Sequence, residues 1–130
     1  MKPDPNVQET FLHLAQELRK RGAAYIHIVR QSQFDAEPAV PDEFFASIRK
    51  AFSGSIIVTG RLTKPIAEQL LVMNIADLVG FGTLFISNPD LPERFKNDWP
   101  LTTGDQRTFY GGDAAGYTDY LTYPEERVAR

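Results

Sequence analysis

The sequence predicts an α/β protein with parallel strands. Three segments with helical periodicity are each followed by a short apolar run, so helix and strand alternate through the first two thirds of the chain. Neighbouring parallel strands cannot be joined by a hairpin and need a crossover connection, usually a helix. The alternating order of helices and strands fits this requirement. With 130 residues, 42% of them hydrophobic, the chain is long enough to bury a core. We therefore expect a single domain over 1–130, with α/β units in 1–98.

The first helix–strand pair is predicted from an apolar row and a stop signal. Val7 to Arg21 carries its apolar residues at helical spacing, and Gly22 is suited to end the helix. Ala24 to Val29 is short, rich in β-branched and aromatic residues and without clean alternation, which predicts a strand buried on both faces. His27, inside this strand, is expected to be a core histidine, whereas His13 on the helix is expected to face solvent.

The second and third pairs follow the same pattern. Arg30 to Pro41 contains two prolines and is predicted to be a loop. Asp42 then precedes a helix over Glu43–Phe52. A strand at Ser55–Thr59, a helix from Lys64 to about Met73 and a strand from about Asp77 to Gly82 complete the alternation. Periodicity alone leaves two architectures open, a part of a closed barrel and a small open sheet, because both have this local pattern.

The remainder of the chain has a different composition. Ser87-Asn88-Pro89-Asp90 predicts a helix start, with Ser or Asn as the cap and Pro in the first turn, and the helix should run to about Lys96. Residues 99–130 are rich in Gly, Thr, Asp and Tyr and have little periodicity. We expect an irregular C-terminal tail that packs through its aromatic residues, namely Trp99, Tyr117, Tyr120 and Tyr123.

Composition and charge exclude several classes of function. The formal charge is -3 and the pI about 5.3, so there is no general attraction to nucleic acid, and the basic cluster Arg19-Lys20-Arg21 is predicted to complement a helix C-terminus. No cysteine is present, and the two histidines are far apart, so no metal site is predicted. No apolar run is long enough for a membrane span or a signal peptide, which favours a cytoplasmic protein.

Two predicted strand ends carry glycine, and ligands of parallel α/β proteins gather at such ends. Thr59-Gly60-Arg61 follows one strand and Gly80-Phe81-Gly82-Thr83 ends the next. The amides of Gly60, Arg61, Gly82 and Thr83 are suited to bind a phosphate, and Arg61 adds positive charge. The alternative is that these glycines only terminate strands and Arg61 lies at the surface. Tyr110, on a glycine-flanked segment, is a candidate for contact with an aromatic cofactor or substrate, with packing as its alternative.

Several motifs resemble the C-terminal signature of the old yellow enzyme family, the FMN-dependent alkene reductases. They are the string DLVGFGTLFISNPDLPERF over residues 77–95, Thr108-Phe109-Tyr110 and GYTDY over 116–120. The resemblance extends back through YIHIV over 25–29 and IIVTG over 56–60, so it covers nearly the whole chain. It implies a partial (β/α)8 TIM barrel, corresponding to about strands six to eight and their helices.

The resemblance also implies a cofactor and residue roles. Gly60, Arg61, Gly82 and Thr83 match positions that bind the FMN phosphate, and Tyr110 matches an aromatic residue beside flavin and substrate. One departure matters, because the family usually has arginine where Thr83 stands. In the family NADPH reduces the flavin, which then reduces an activated alkene. The chain is about half of the roughly 250 residues that such a barrel needs, so catalysis by this chain alone is not expected.

Three functional hypotheses remain open at this stage. In the first, the chain is the FMN-phosphate part of a flavin oxidoreductase that needs an N-terminal half-barrel from another chain. In the second, it is a non-catalytic α/β remnant that binds phosphate ligands weakly or not at all. In the third, it is a protein-interaction domain that uses its exposed strand edges, and those unpaired edges also predict self-association or poor solubility of the isolated chain.

Overall fold

The computed structural model describes residues 6–30, 42–111 and 113–129. The predicted loop at 31–41 and Gly112 next to the Tyr110 segment lie outside the described residues. The chain divides into two compact units, Met1–Gly80 and Phe81–Arg130. Along the described parts of both units, no helix has the length and apolar character needed to cross a bilayer.

The first unit is an α/β layer in which each predicted helix and strand is present. Three helices alternate with three strands: α1 (Val7–Lys20), β1 (Tyr25–Val29), α2 (Asp42–Ala51), β2 (Ser55–Thr59), α3 (Lys64–Val72) and β3 (Leu78–Val79). The strands form one parallel sheet in the order β1-β2-β3. The alternation of helix and strand therefore predicted both the strand direction and the class of fold.

Local signals explain where these helices begin and end. Gly22, just after α1, has a φ of 72°, a left-handed conformation that glycine adopts without strain. Pro65 stands in the first turn of α3, where its missing N–H costs nothing. Glu17 lies one turn before the end of α1, and hydrogen bonds from Lys20 and Arg21 lower its pKa to about 2. The basic cluster Arg19-Lys20-Arg21 thus lies at the C-terminal end of α1, as the sequence predicted.

The core of the first unit lies between β2 and the helices. Phe52 and Val58 are fully buried, and Ile56, Phe45 and Leu70 are nearly so. Burial of such side chains contributes about 1.5–3 kcal/mol each relative to exposure. This layer is the main source of the unit's stability.

The third strand is shorter than the sequence suggests, because a side chain replaces part of its ladder. The backbone N–H of Asp77 donates to the carbonyl of Ile56 at 2.9 Å, and the N–H of Ile56 donates to the Asp77 carboxylate at 2.7 Å. The Ile56 hydrogen bond, aided by an ion pair with Arg49, holds the pKa of Asp77 below its ordinary value. Residues 77 and 80–82 thus flank a strand of two residues rather than extend it.

The expectation that β1 is buried on both faces is wrong. Its residues alternate, with Ile26 and Ile28 half-buried and Tyr25, His27 and Val29 exposed. The physical reason is that successive right-handed crossovers place their helices on one face of a sheet, which leaves the other face uncovered. His27 is therefore not a core histidine, while His13 is exposed as expected.

The second unit contains two helices that the sequence did not reveal. Its helices are α4 (Thr83–Ser87), α5 (Leu91–Lys96) and α6 (Tyr123–Val128), with a 3-10 turn at Gln106–Thr108. The helix start predicted at Ser87-Asn88 is displaced, because Asn88 ends α4, and α5 begins after Asp90 with Pro92 in its first turn. Helix α6 begins with a capping box between Thr122 and Glu125, a signal present in the sequence and missed.

A buried arginine, rather than aromatic packing alone, holds the C-terminal tail. Arg94 is 1% exposed and forms ion pairs with Asp90 at 2.7 Å and Glu126 at 2.8 Å. Its guanidinium also donates to the carbonyls of Pro100 and Leu121. The tail is therefore fixed to α5 at its start and near its end, through a polar network.

The aromatic residues of the tail divide into packed and exposed groups. Trp99 stacks on Tyr123 with ring centroids 4.7 Å apart, and the Tyr120 hydroxyl accepts a hydrogen bond from the N–H of Asp105. Tyr117, by contrast, is 78% exposed, so the expectation that it packs is wrong. Tyr110 is 93% exposed, which removes packing within the described chain as the explanation for it.

Candidate cofactor-phosphate site

The carboxyl ends of β2 and β3 lie side by side at one edge of the sheet. Val58 is the register partner of Val79, and the N–H of Gly80 donates to the carbonyl of Val58 at 2.9 Å. Gly60 directly follows β2, so Gly60 and Gly80 leave the sheet at this same edge. Ligands of parallel sheets bind beyond this edge, because the connecting loops converge there.

The segment after β2 has an unusual backbone. Gly60 has a φ of 103° and Arg61 a φ of 45°, so two successive residues adopt left-handed conformations. Such a conformation is strained for arginine, and strained residues of this kind concentrate at ligand sites. Consecutive amides in turns of this kind form concave anion-binding surfaces. Arg61 is exposed, and its side chain carries a guanidinium.

Gly80 is required by close packing rather than by its conformation. A Cβ on Gly80 would overlap the methyl group of Thr59 on the neighbouring strand. A larger residue would push the two strand ends apart. The sequence identified Gly80 only as the end of a strand, and the close approach to Thr59 gives it a specific structural role.

In the second unit, Gly82 and Thr83 stand at the start of α4. Gly82 is the residue before the helix, with φ -88° and ψ -76°, and Thr83 is its first residue. A Cβ on Gly82 would meet no atom within 4 Å, and both residues are exposed. Open space and exposure leave their backbone amides accessible to a ligand.

His27 and Thr59 form a polar pair on the uncovered face of the sheet. Nε2 of His27 lies 3.2 Å from the hydroxyl of Thr59, with the donor set by the tautomer of the ring. No motif in the sequence indicates this pair. The signal that could have revealed it is the spacing of Tyr25, His27 and Val29, which places all three on one face of a strand.

Tyr110 lies two residues beyond a small, charged turn. Asp105 begins this turn by accepting the backbone N–H of Arg107 at 3.0 Å, and the Arg107 side chain lowers the Asp105 pKa to about 2. Gly111, with a φ of 83°, follows Tyr110. The phenol ring is therefore carried outward between an anchored turn and a glycine bend.

Comparison with known proteins decides the family. The sequence model of the NADH:flavin oxidoreductase / NADH oxidase family matches residues 2–102. The chain belongs to this family. The match includes both glycine-containing segments, 59–61 and 80–83, and ends before Tyr110.

Relatives of known sequence are plant reductases. The chain is 38% identical over 120 residues to a 12-oxophytodienoate reductase-like protein of Solanum lycopersicum, covering 92% of this chain and 32% of the relative. It is 38% identical over 125 residues to putative 12-oxophytodienoate reductase 11 of Oryza sativa subsp. japonica, covering 95% and 34%. The chain thus spans about a third of the length of these relatives.

Solved structures agree with the sequence relatives. Morphinone reductase superposes with a TM-score of 0.87 at 38% identity, covering 95% of this chain and 33% of that one. The old yellow enzyme from Trypanosoma cruzi superposes with a TM-score of 0.81 at 35% identity, covering 92% and 31%. These neighbours are TIM barrels, so the predicted relationship to old yellow enzymes is confirmed, and this chain is a small α/β part of such a barrel.

The family's cofactor is FMN, with a nicotinamide as the reductant. The residues after β2 fit a phosphate group, because the left-handed pair Gly60-Arg61 bends the backbone at the ligand-binding edge and Arg61 supplies a cation. An uncovered sheet face also fits a barrel, since the interior of a barrel is closed by the other strands.

Proposed function

We propose that this chain is the FMN-phosphate-binding part of an old-yellow-enzyme-like oxidoreductase. It would supply about strands six to eight of the barrel to an enzyme that reduces activated alkenes with NADPH. The observation that carries the proposal is the left-handed pair Gly60-Arg61 at the carboxyl edge of a family-matched parallel sheet. FMN would supply hydride transfer when bound, and the protein supplies binding, orientation and electrostatics.

Four residues are proposed to hold the phosphate. Gly60 and Arg61 would offer backbone amides after β2, and Gly82 and Thr83 would offer amides at the start of α4. The exposure of Arg61, Gly82 and Thr83 and the open space at Gly82 support this role. Hydrogen bonds to a charged group are typically worth about 1.5–3 kcal/mol each, so loss of one is measurable as weaker affinity.

Arg61 is proposed to compensate for a missing arginine. The family usually carries arginine at the position of Thr83, and the threonine side chain has no charge. A guanidinium binds phosphate through two parallel hydrogen bonds, which a hydroxyl cannot reproduce. Arg61 is exposed one residue beyond Gly60 and is the cation proposed to replace it.

Tyr110 is proposed to lie beside flavin and substrate in the complete enzyme. Its ring is 93% exposed in this chain, which leaves it available for a contact that the described residues do not provide. A three-stranded sheet does not enclose a flavin ring. The chain is therefore proposed to be non-catalytic alone and to act with an N-terminal half-barrel.

Two alternatives rest on specific features. The edge of β1 that pairs with no described strand, and the sheet face that the described helices of this unit leave exposed, favour self-association of the isolated chain. The same sheet edge favours the other alternative, a non-catalytic remnant or interaction module that binds phosphate ligands weakly or not at all. Flavin binding separates these alternatives from the proposal.

The test is a flavin titration of the purified protein, alone and with the part of the tomato relative that precedes the matched segment. We expect FMN to bind more tightly with that half than without it, seen as a change in flavin absorbance and fluorescence. Arg61→Ala should weaken FMN binding by at least about tenfold, because even one charge-assisted hydrogen bond is worth about 1.5 kcal/mol or more.

The matched control is Arg19→Ala, which removes an arginine near the end of α1. It should leave FMN affinity unchanged. Equal affinities for wild type and Arg61→Ala would refute the compensation by Arg61. Absence of FMN binding, alone and with the partner half, would refute the proposed function and favour the remnant.

A further inference from the structure

Tyr110 is carried by a loop that the structure describes over 105–111 and 113–120, which we name the Tyr110 loop. Tyr110 itself is 93% exposed. The half-buried residues in the described part of this loop are Asp105, Thr108, Phe109, Gly116 and Tyr120. A loop that packs its own side chains inside holds a defined shape. The burial pattern therefore indicates a fixed loop with Tyr110 on its outer surface.

Tyr120 closes the base of the Tyr110 loop. Its hydroxyl accepts a hydrogen bond from the backbone N–H of Asp105 at 2.9 Å, across 15 positions of the chain. The carbonyl of Asp105 in turn accepts the N–H and the hydroxyl of Thr108, at 3.0 Å and 2.8 Å. The Tyr120 hydroxyl thus holds the residue from which the turn toward Tyr110 starts.

Gly116 closes the loop a second time, against the side chain of Thr108. A Cβ on Gly116 would overlap both Oγ1 and Cβ of Thr108. Gly116 also has a φ of 72°, a left-handed conformation, and its N–H donates to the Asp119 carboxylate at 2.7 Å. The conformation and the lack of space each require glycine at this position.

The residue directly before Tyr110 is restrained as well. The ring of Phe109 lies on the backbone of Gly104, where an added Cβ would come within 2.8 Å of Cε1 of that ring. On the other side of Tyr110, Gly111 bends the chain with a φ of 83°. These contacts restrain the backbone that carries Tyr110, although the ring of Tyr110 is exposed.

Restraint of this kind matters for a side chain that contacts a ligand. Such a side chain is effective when its supporting residues hold it within about 0.5 Å of the productive position. A misplacement of about 1 Å can lower a rate by about 100-fold. Ordering a loose loop at each binding event also weakens affinity, and a loop that is closed in advance avoids this loss.

We propose that Tyr120 and Gly116 are positioning residues for Tyr110. They close the loop at two levels, through Asp105 and Thr108, and thereby fix the place at which Tyr110 presents its ring to flavin and substrate. The contact of Tyr110 with flavin and substrate rests on the proposed function, whereas the closure of the loop does not.

The first measurement needs no flavin. Chymotrypsin cuts after aromatic residues, and its cleavage rate after Tyr110 in the purified chain reports how often the loop opens. Tyr120→Phe removes the hydroxyl that accepts the Asp105 N–H and should raise this rate about tenfold, the equivalent of one hydrogen bond. The control is Tyr117→Phe, which removes the hydroxyl of a 78% exposed tyrosine in the same loop and should change the rate less than twofold.

Gly116→Ala is a second variant for the same measurement. It should raise the cleavage rate after Tyr110 at least about tenfold, because the new methyl group overlaps Thr108 in a conformation that alanine rarely adopts. The control is Gly22→Ala, since Gly22 has the same φ of 72° but a Cβ there meets no atom within 4 Å. This control should leave the cleavage rate after Tyr110 unchanged within twofold.

The second measurement uses the assembled enzyme, which consists of this chain, the part of the tomato relative that precedes the match, and FMN. The probe is cyclohexenone, an activated alkene, with NADPH as reductant. Tyr120→Phe should raise KM for cyclohexenone by at least about threefold, because a displaced Tyr110 no longer orients the substrate. A general loss of folded enzyme would instead lower kcat and leave KM unchanged. In a Tyr110→Ala background, Tyr120→Phe should have no further effect on KM, because a positioning residue acts through the residue that it positions.

Three results would overturn the proposal. One is equal cleavage after Tyr110 for Tyr120→Phe and Tyr117→Phe, which would show that the hydroxyl does not hold the loop. Another is an unchanged KM in Tyr120→Phe, or a change in KM that persists in the Tyr110→Ala background. The last is absence of FMN binding by the assembled chains, which would refute the proposed function, and with it the positioning role, even where the cleavage rates differ as expected.

Discussion

The side chain of Asn88 pairs with the backbone of Thr102 through reciprocal hydrogen bonds. The N–H of Thr102 donates to Oδ1 of Asn88 at 2.8 Å, and Nδ2 of Asn88 donates to the carbonyl of Thr102 at 3.0 Å. Ser87 donates to the same carbonyl at 2.7 Å. Asn88 is fully buried, so water does not compete for the hydrogen bonds of its side chain. These hydrogen bonds hold the end of α4 to the tail.

Asn88→Leu should therefore destabilise the protein. It keeps a similar volume but leaves the part-buried N–H of Thr102 without its acceptor, at a cost of about 1–3 kcal/mol for one unsatisfied group. The measurement is the urea midpoint of unfolding. The control is Asn97→Leu, which alters an exposed amide and should cost less than half as much.

Arg94→Met should have a larger effect. The substitution keeps the apolar stem and removes the charge, which leaves Asp90 and Glu126 without their ion-pair partner Arg94. Breaking a buried ion pair in this way costs about 3–5 kcal/mol. Arg107→Met, which breaks an exposed pair with Asp105, should cost at most about 1 kcal/mol. Equal midpoints for the two variants would contradict the role assigned to Arg94.

The Asp90 carboxyl should make stability depend on acid pH. Burial opposes its ionisation, but hydrogen bonds from Arg94 and the N–H of Tyr123 outweigh burial and hold its pKa below the ordinary value. A lowered folded-state pKa contributes stability that is present above the unfolded value, about 3.9, and is lost as the pH falls through the folded-state pKa. Unfolding measured from pH 6 to 2 should show this loss, and Asp90→Asn should reduce its slope.

The contact between Gly80 and Thr59 predicts that a substitution at Thr59 restores the stability lost by a substitution at Gly80. Gly80→Ala should destabilise the first unit by about 1–3 kcal/mol, because the new methyl group overlaps the Thr59 methyl. Thr59→Ser removes that methyl and should restore most of the lost stability in the double variant. Gly82→Ala, where a Cβ meets no atom, should be nearly neutral. A double variant no more stable than Gly80→Ala would show that the close approach is not the cause.

The sequence predicted those features that depend on local pattern. Both the α/β class and the strand at Ser55–Thr59 follow from periodicity and glycine positions, because a buried parallel strand needs little beyond an apolar run. The motif Ser87-Asn88-Pro89-Asp90 predicts a helix cap from the sequence. In the structure, the side chains of Asn88 and Asp90 form hydrogen bonds with the backbone of Thr102 and Tyr123, which lie 14 and 33 positions further along the chain.

Other features depended on contacts that a sequence does not display. His27 is exposed because the helices cover only one face of the sheet. Periodicity alone does not distinguish this arrangement from an open sheet whose two faces are both covered by helices. The positive φ of Arg61 is a property of the folded loop, since no residue type there signals it. The roles of Gly60, Arg61, Gly82, Thr83 and Tyr110 in FMN binding remain predictions.

We propose that this chain holds the phosphate of FMN. The most direct measurement compares FMN with riboflavin, which lacks the phosphate, in titrations of the chain together with the N-terminal half of a relative. We expect FMN to bind at least tenfold more tightly than riboflavin, and Arg61→Ala to reduce that ratio. Equal affinities for the two flavins would contradict the claim.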